Sequence, residues 1–305
     1  MFSVNNLSLY YLQNDSKTYL LKDIDFSLDK GDCLGIIGKS GDGKSTLAKA
    51  LLKIYDRNVY LESGKMFLDN VLVDESFRGK KISLIFQNPN SYLNPSMKVG
   101  KQIQEMLTYH FKENKKVAKV KTISIMKEVG IENPAVIYNY YPHEISGGMQ
   151  QRICLCISII CHPEIIILDE ATSYLDRDTK KEIYFLLNSL KEKYNFTLII
   201  ISHDFKEIYT MCNKIAIMKK GSIVEFGTKE EIVNSPRHPY TIELLYYFLS
   251  YYNNIPCLIH LSKDNDYLPI KKITSTHFAR ISNYNKELLE EFSKLKEMLY
   301  ETFRN

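Results

Sequence analysis

The sequence predicts an α/β fold with a mainly parallel sheet core, an antiparallel β subdomain and a helical subdomain. Three observations predict it. A short apolar run, Cys33–Ile37, feeds the glycine loop Gly38-Lys39-Ser40-Gly41-Asp42-Gly43-Lys44-Ser45-Thr46, which opens onto helix formers at 46–52. From Ile165 onward an apolar run (165–168), a helical pattern (180–193) and a second apolar run (197–202) alternate, the mark of a βαβ unit and a parallel sheet. Ahead of these, residues 2–37 alternate apolar and polar positions, as half-buried antiparallel strands do.

The elements follow in order. Val4, Leu7 and Leu9, then Ile24, Phe26 and Leu28, mark two strands. Residues 65–86 read as further strands, ending in Ile82-Ser83-Leu84-Ile85-Phe86. Residues 99–160 read mostly as helix, interrupted around Pro134 and Pro142. Residues 215–227 read as a closing strand pair with Lys220-Gly221 at the turn. The tail, 246–305, differs in character: Leu288, Phe292, Leu295 and Leu299 fall at helical spacing with charges between them. That pattern suits an amphipathic helix, docked on its own domain or on a partner. One phosphate loop and no internal repeat imply a single nucleotide-binding domain.

Bulk composition narrows the partners. The 305 residues hold 40 basic and 36 acidic side chains, net +4, too mild to make nucleic acid the main partner. No stretch approaches the roughly 18 apolar residues that span a bilayer, and no signal peptide is expected from Met1-Phe2-Ser3-Val4-Asn5. Membrane contact must therefore come through a partner. The six cysteines, Cys33, Cys154, Cys156, Cys161, Cys212 and Cys257, form no CxxC pair and read as buried free thiols in a reducing compartment.

The chemistry starts at the glycine loop. Glycine lets the backbone approach phosphates closely, and the inward amides at a helix N-terminus make an anion nest. Lys44 is then the point charge for the β- and γ-phosphates, Ser45 offers a hydroxyl to Mg²⁺, and Thr46 adds amide and hydroxyl contacts. Asp169 ends the run Ile165-Ile166-Ile167-Leu168, at the strand end where ligands sit in parallel sheets, and suits Mg²⁺. Glu170 follows it, placed to polarise the attacking water. Ser146, Gly147 and Gly148 precede an apolar helix, so their amides form a second anion site.

These motifs, in this order, resemble the ATPase subunit of an ABC transporter over residues 1 to about 245. The resemblance implies a P-loop NTPase of the ABC ATPase type, with ATP and Mg²⁺ as ligands and a helical subdomain at about 90–160. Gln87, in Ile85-Phe86-Gln87-Asn88-Pro89, resembles the family's Q-loop glutamine, which contacts Mg²⁺ and the attacking water. His203 resembles the switch histidine on the γ-phosphate, and Asp176, in Ser173-Tyr174-Leu175-Asp176, belongs to the D-loop, where Tyr174 replaces a commonly small residue. Tyr11 resembles the aromatic that stacks on adenine, with Tyr10 and Tyr19 as alternatives. Ser146-Gly147-Gly148-Met149-Gln150 resembles the signature, which in the family covers the ATP held by an opposing subunit.

The longer string from Tyr141 to Arg152 resembles the subgroup that imports oligopeptides, dipeptides and nickel. So do 86–95 and Asn234-Ser235-Pro236-Arg237-His238-Pro239-Tyr240-Thr241. The subgroup implies two membrane permeases, a second ATPase subunit (identical or different) and, indirectly, an extracytoplasmic solute-binding protein, with no nucleic acid. It places the chain peripherally on the cytoplasmic face of the membrane. A soluble ABC ATPase acting outside transport is the rival reading; such chains usually carry two ATPase domains or a long coiled-coil insertion, and this one has neither. His238 has no partner ligand at metal spacing and reads as structural, and Thr276-His277-Phe278-Ala279 has no assigned role. A tail with only Cys257 makes an iron–sulfur site unexpected.

Overall fold

The computed structural model describes residues 1–86, 92–172, 175–253 and 270–280. The chain divides into two compact units, Met1–Leu72 with Ile200–Asn305, and Val73–Ile199.

The first unit holds a four-stranded sheet of order β2-β1-β4-β5, from β1 (Phe2–Gln13), β2 (Ser16–Leu28), β4 (Val59–Leu68) and β5 (Val71–Leu72). Val4 and Leu7 are both buried although three residues apart, which strict alternation forbids. The register slips between them, and Asn6 adopts φ 49°. This bulge returns Leu7 to the buried face. Opposite it, Gly64 has φ +111°, and a Cβ there would lie 2.5 Å from Leu7 Cα.

The same unit carries a mixed sheet of order β11-β12-β10-β9-β3-β8: β3 (Cys33–Ile37), β8 (Thr197–Ile201), β9 (Lys214–Lys219), β10 (Ser222–Thr228), β11 (Ile270–Lys272) and β12 (Phe278–Arg280). All five residues of β3 are buried, as in strands covered on both faces, and β3 runs parallel to β9. The β9–β10 turn falls at Lys220 and Gly221, both with positive φ. Helix α1 (Lys44–Leu51) buries Leu47, Ala48, Ala50 and Leu51. Of residues 276–279, Thr276 and His277 lead into β12 and the last two lie in it, Ala279 opposite Glu225 and Phe278 opposite Phe226.

The second unit holds β6 (Ile82–Ile85) and β7 (Ile165–Asp169), paired in parallel. Its helices are α2 (Val99–Phe111), α3 (Lys115–Glu128), α4 (Pro134–Ile137), α5 (Gly147–Ile159) and α6 (Arg177–Tyr194). Pro134 starts α4, where its missing N–H costs no hydrogen bond, and Pro142 starts a single 3₁₀ turn. Burial pushes the Cys154 thiol up to about 12 and that of Cys161 up to about 11, so both are inert packing groups.

The first unit closes with α7 (Phe205–Met211), α8 (Lys229–Asn234) and α9 (Pro239–Asn253). The boundary expected after residue 245 falls inside α9. Cys257 and the residues Leu288, Phe292, Leu295 and Leu299 lie outside the described residues.

Gly64→Ala is expected to lower stability by about 1–3 kcal/mol, because the added methyl meets backbone and the φ is one that side chains rarely adopt. Urea denaturation of both proteins measures the difference; an unchanged midpoint refutes this account of the bulge.

Candidate functional site

The first unit presents the phosphate loop. β3 delivers Gly38 from a buried strand, Gly41 and Gly43 take φ of +89° and +92°, and α1 begins at Lys44. Gly38 is needed for close approach: a Cβ would sit 2.4 Å from Met218 O. Lys44, only 7 % exposed, donates from Nζ to Gly38 O (2.9 Å) and Lys39 O (2.8 Å). Its ammonium is thus held within the loop. Ser45 and Ser40 are exposed, and Thr46 is half-buried.

Asp42 is a buried hub. Its Oδ2 accepts from Lys39 N–H (2.6 Å) and Tyr240 O–H (2.8 Å), and its Oδ1 from Lys220 N–H (3.0 Å). Its backbone donates to Lys39 O (3.2 Å) and accepts from Gly221 N–H (3.0 Å). The sequence reading missed Tyr240; its motif was visible, but 198 residues separate it from Asp42.

The aromatic candidates differ in surroundings. Tyr10 stacks on Tyr60 with ring centres 5.6 Å apart, and Lys17 Nζ sits 4.3 Å from the Tyr10 ring. Tyr19 is engaged by Lys17 (4.9 Å) and Lys22 (5.6 Å). Tyr11, half-buried, makes no ring contact with a described residue. His203 is exposed just beyond β8. Beside it, Ser202 Oγ donates to Glu207 (2.9 Å), and Asp204 caps α7 by accepting from Lys206 N–H (3.0 Å).

The second unit carries the carboxylates and the Ser-Gly-Gly segment. Asp169 ends β7 and is 8 % exposed. Glu170 follows with φ 48°, a conformation that side chains adopt rarely and that aims its carboxylate differently from a strand position. Ser146 caps α5, its Oγ accepting from Met149 N–H (3.3 Å), with Gly147 exposed and Gly148 half-buried. Gln150 is spent locally, donating to Pro142 O (2.9 Å). Gln151, which the sequence reading passed over, is 1 % exposed and donates to Ala171 O at 2.9 Å. It ties α5 to the segment that follows Asp169 and Glu170. Asp176 caps α6, accepting from Asp178 N–H (3.1 Å), Thr179 N–H (3.0 Å) and Thr179 O–H (2.7 Å). Gln87, Ser173 and Tyr174 lie outside the described residues.

The loop fits a polyphosphate: a Cβ built at Gly41 meets nothing within 4 Å, so open space faces the loop, and a helix begins behind it. Ser45 and Asp169 are hard oxygen donors of the kind Mg²⁺ takes. Among the described residues no group of three or more His, Cys, Asp or Glu could cage a metal ion.

Comparison with known proteins agrees. A family model described as "ABC transporter" matches residues 21–173. The oligopeptide transport ATP-binding protein OppD of Bacillus subtilis is 38 % identical over 80 % of this chain and 71 % of its own length. OppD of Haemophilus influenzae is 33 % identical over 88 % of each chain. The dipeptide transport ATP-binding protein DppD of Lactococcus lactis is 37 % identical over 80 % of this chain and 72 % of its own. Among solved structures, the ATP-binding cassette MJ0796, a dimer in a post-hydrolysis state with ADP and Pi, superposes with TM-score 0.65 at 24 % identity, over 75 % of this chain and 98 % of that one. The cbiO1 protein of Clostridium perfringens gives 0.64 at 24 %, over 82 % and 94 %. Both bear out the expected fold.

The backbone N–H of Thr179, with the Thr179 hydroxyl, holds the Asp176 carboxyl below its usual 3.8. A lowered folded value means the cap stabilises above 3.8 and is lost as pH falls through the folded value. The stability deficit of Asp176→Ala against wild type should therefore be constant near neutral pH and shrink below pH 3.8. Paired thermal unfolding across that range checks it; a deficit independent of pH refutes the capping role.

Proposed function

This chain belongs to the ABC transporter family, and from that premise we propose that it is the ATP-hydrolysing subunit that energises import of oligopeptides or dipeptides. The observation that carries the proposal is the phosphate loop with Lys44 held inside it, in a chain 38 % identical to an oligopeptide transport ATP-binding protein. The relatives reported above are named for peptides and not for nickel, so peptides are the cargo class proposed.

The residue roles proposed here combine the chemistry of the glycine loop and the carboxylates with what the family resemblance implies for Gln87, His203, Tyr11, Asp176 and the Ser146–Gln150 segment. Lys44 exchanges two carbonyl bonds for the β- and γ-phosphates, while the amides of 38–46 receive the remaining phosphate charge. Ser45, Asp169 and Gln87 would hold Mg²⁺, which would supply positive charge to the bound triphosphate. Glu170 takes a proton from the attacking water, and His203 steadies the γ-phosphate. Tyr11, whose ring has no described partner, stacks on adenine. The amides at Ser146, Gly147 and Gly148, with Met149 and Gln150 behind them, cover the ATP of an opposing ATPase subunit, and Asp176 lies in the loop before α6. Hydrolysis on both sides of such a sandwich reopens it and drives the membrane partner.

No helix among the described residues is long and apolar enough to cross a membrane. The proposed assembly therefore supplies two permeases, a second ATPase subunit and, from outside, a solute-binding protein, with this chain peripheral on the cytoplasmic face.

Lys44→Ala should abolish ATP binding, and Glu170→Gln should bind ATP but lower turnover at least about 100-fold, leaving an ATP-bound dimer. Calorimetry, steady-state phosphate release and size exclusion with ATP test both; normal turnover in Glu170→Gln rules out its assigned role. Tagged chain purified from gently solubilised membranes should bring two permeases with it. Recovery only from the soluble fraction would favour an ABC ATPase acting outside transport.

A further inference from the structure

Two segments marked in the sequence, 234–241 and 276–279, have no part in the roles above. In the first unit a buried hydrogen-bond relay joins both to the phosphate loop. His277, 1 % exposed, approaches Glu225 Oε1 with its Nε2 at 2.7 Å. A carboxylate only accepts, so the proton sits on Nε2. Glu225, also 1 % exposed, accepts Arg237 N–H (2.7 Å) on Oε1 and His238 N–H (2.9 Å) on Oε2. This fixes the turn entering α9. His238 Nδ1 then accepts Tyr240 N–H at 3.1 Å. The Tyr240 hydroxyl donates to Asp42 Oδ2 (2.8 Å) and accepts the Lys39 N–H (3.1 Å).

The relay is built rather than incidental. Tyr240 is 3 % exposed and His238 5 %. Burial pushes the Tyr240 phenol far above its usual range, so it remains a donor. Glu243, one turn on, pairs with Lys39 Nζ at 2.8 Å, and the ammonium of Lys39 lies 5.4 Å from the Tyr240 ring. The segment bearing His277 is itself fastened: Thr276 Oγ donates to Glu231 (2.9 Å), and Arg280 Nε donates to Ile223 O (3.0 Å).

We propose that Tyr240 is a positioning residue for nucleotide binding: seated by Glu225, His238 and His277, its hydroxyl holds the Lys39 amide and the Asp42 carboxylate so that the loop keeps its phosphate-binding shape. Residues 270–280 thereby set nucleotide affinity without touching the nucleotide. The inference rests on the nucleotide-binding reading of the loop.

The test is calorimetric titration of the full chain with Mg·ADP and Mg·ATP. Tyr240→Phe keeps the ring and removes the hydroxyl. It should weaken binding about tenfold, as loss of a hydrogen bond to a charged group does, while the nucleotide-free melting temperature stays within a few degrees of wild type. His277→Ala should weaken binding in the same direction, His277→Gln, which keeps a donor, should restore most of it, and the double variant with Tyr240→Phe should be no weaker than the weaker single. If His277→Ala does not fold, Tyr240→Phe and His277→Gln carry the comparison. Tyr240→Phe within twofold of wild type, in a preparation where Lys44→Ala abolishes binding, overturns the positioning role and leaves the nucleotide reading intact. Absence of binding by wild type overturns both.

Discussion

A loop that must receive several negative charges is organised here around a negative charge of its own. The Asp42 carboxylate is 8 % exposed and would be costly to bury alone. Two backbone amides and one phenol converge on it, from Lys39, Lys220 and Tyr240. Each donor comes from a different stretch of chain, so satisfying one carboxylate fixes three backbone segments at once. The left-handed turns at Gly41 and Gly43, and the placement of Lys44 over the carbonyls of Gly38 and Lys39, follow from that constraint. The arrangement also keeps the acid's lone pairs occupied by its own donors, so that it does not face an incoming phosphate unscreened.

The second unit solves a different problem. Asp169 and Glu170 leave the end of β7 in sequence but not in conformation, because the φ of 48° at Glu170 turns the chain sharply after the strand. The Gln151 amide anchors the residues just beyond, from a helix whose start is the Ser-Gly-Gly segment. One buried hydrogen bond thus joins that helix to the loop that follows the two carboxylates.

Local chemistry was legible in the sequence; long-range chemistry was not. The strand–glycine loop–helix could be read because its parts adjoin, and the apolar run 165–168 announced a strand because it is covered on both faces. The bulge at Asn6 was hidden: Val4 and Leu7 break a period of two, and only the pairing register says whether that ends the strand or kinks it. Pro134 read as an interruption, yet proline is equally at home in the first turn of a helix, and it starts α4. Tyr240 and His277 could not be placed, since nothing near them in sequence identifies Asp42 or Glu225 as a partner. Among Tyr10, Tyr11 and Tyr19, cross-strand neighbours such as Tyr60, which stacks on Tyr10, were also hidden in the sequence.

The distance along the chain between Asp42 and Tyr240 has a temporal side. A ribosome adding roughly 5–20 residues per second completes the glycine loop long before it reaches α9. The 198 additions from Asp42 to Tyr240 take about 10–40 s. Throughout that interval the nascent loop has its glycines, its lysine and its helix start, but the Asp42 carboxylate lacks its phenol. The proposed brace therefore arrives with a late segment of the chain, and a truncated translation product ending before α9 carries the glycine loop without the Tyr240 hydroxyl.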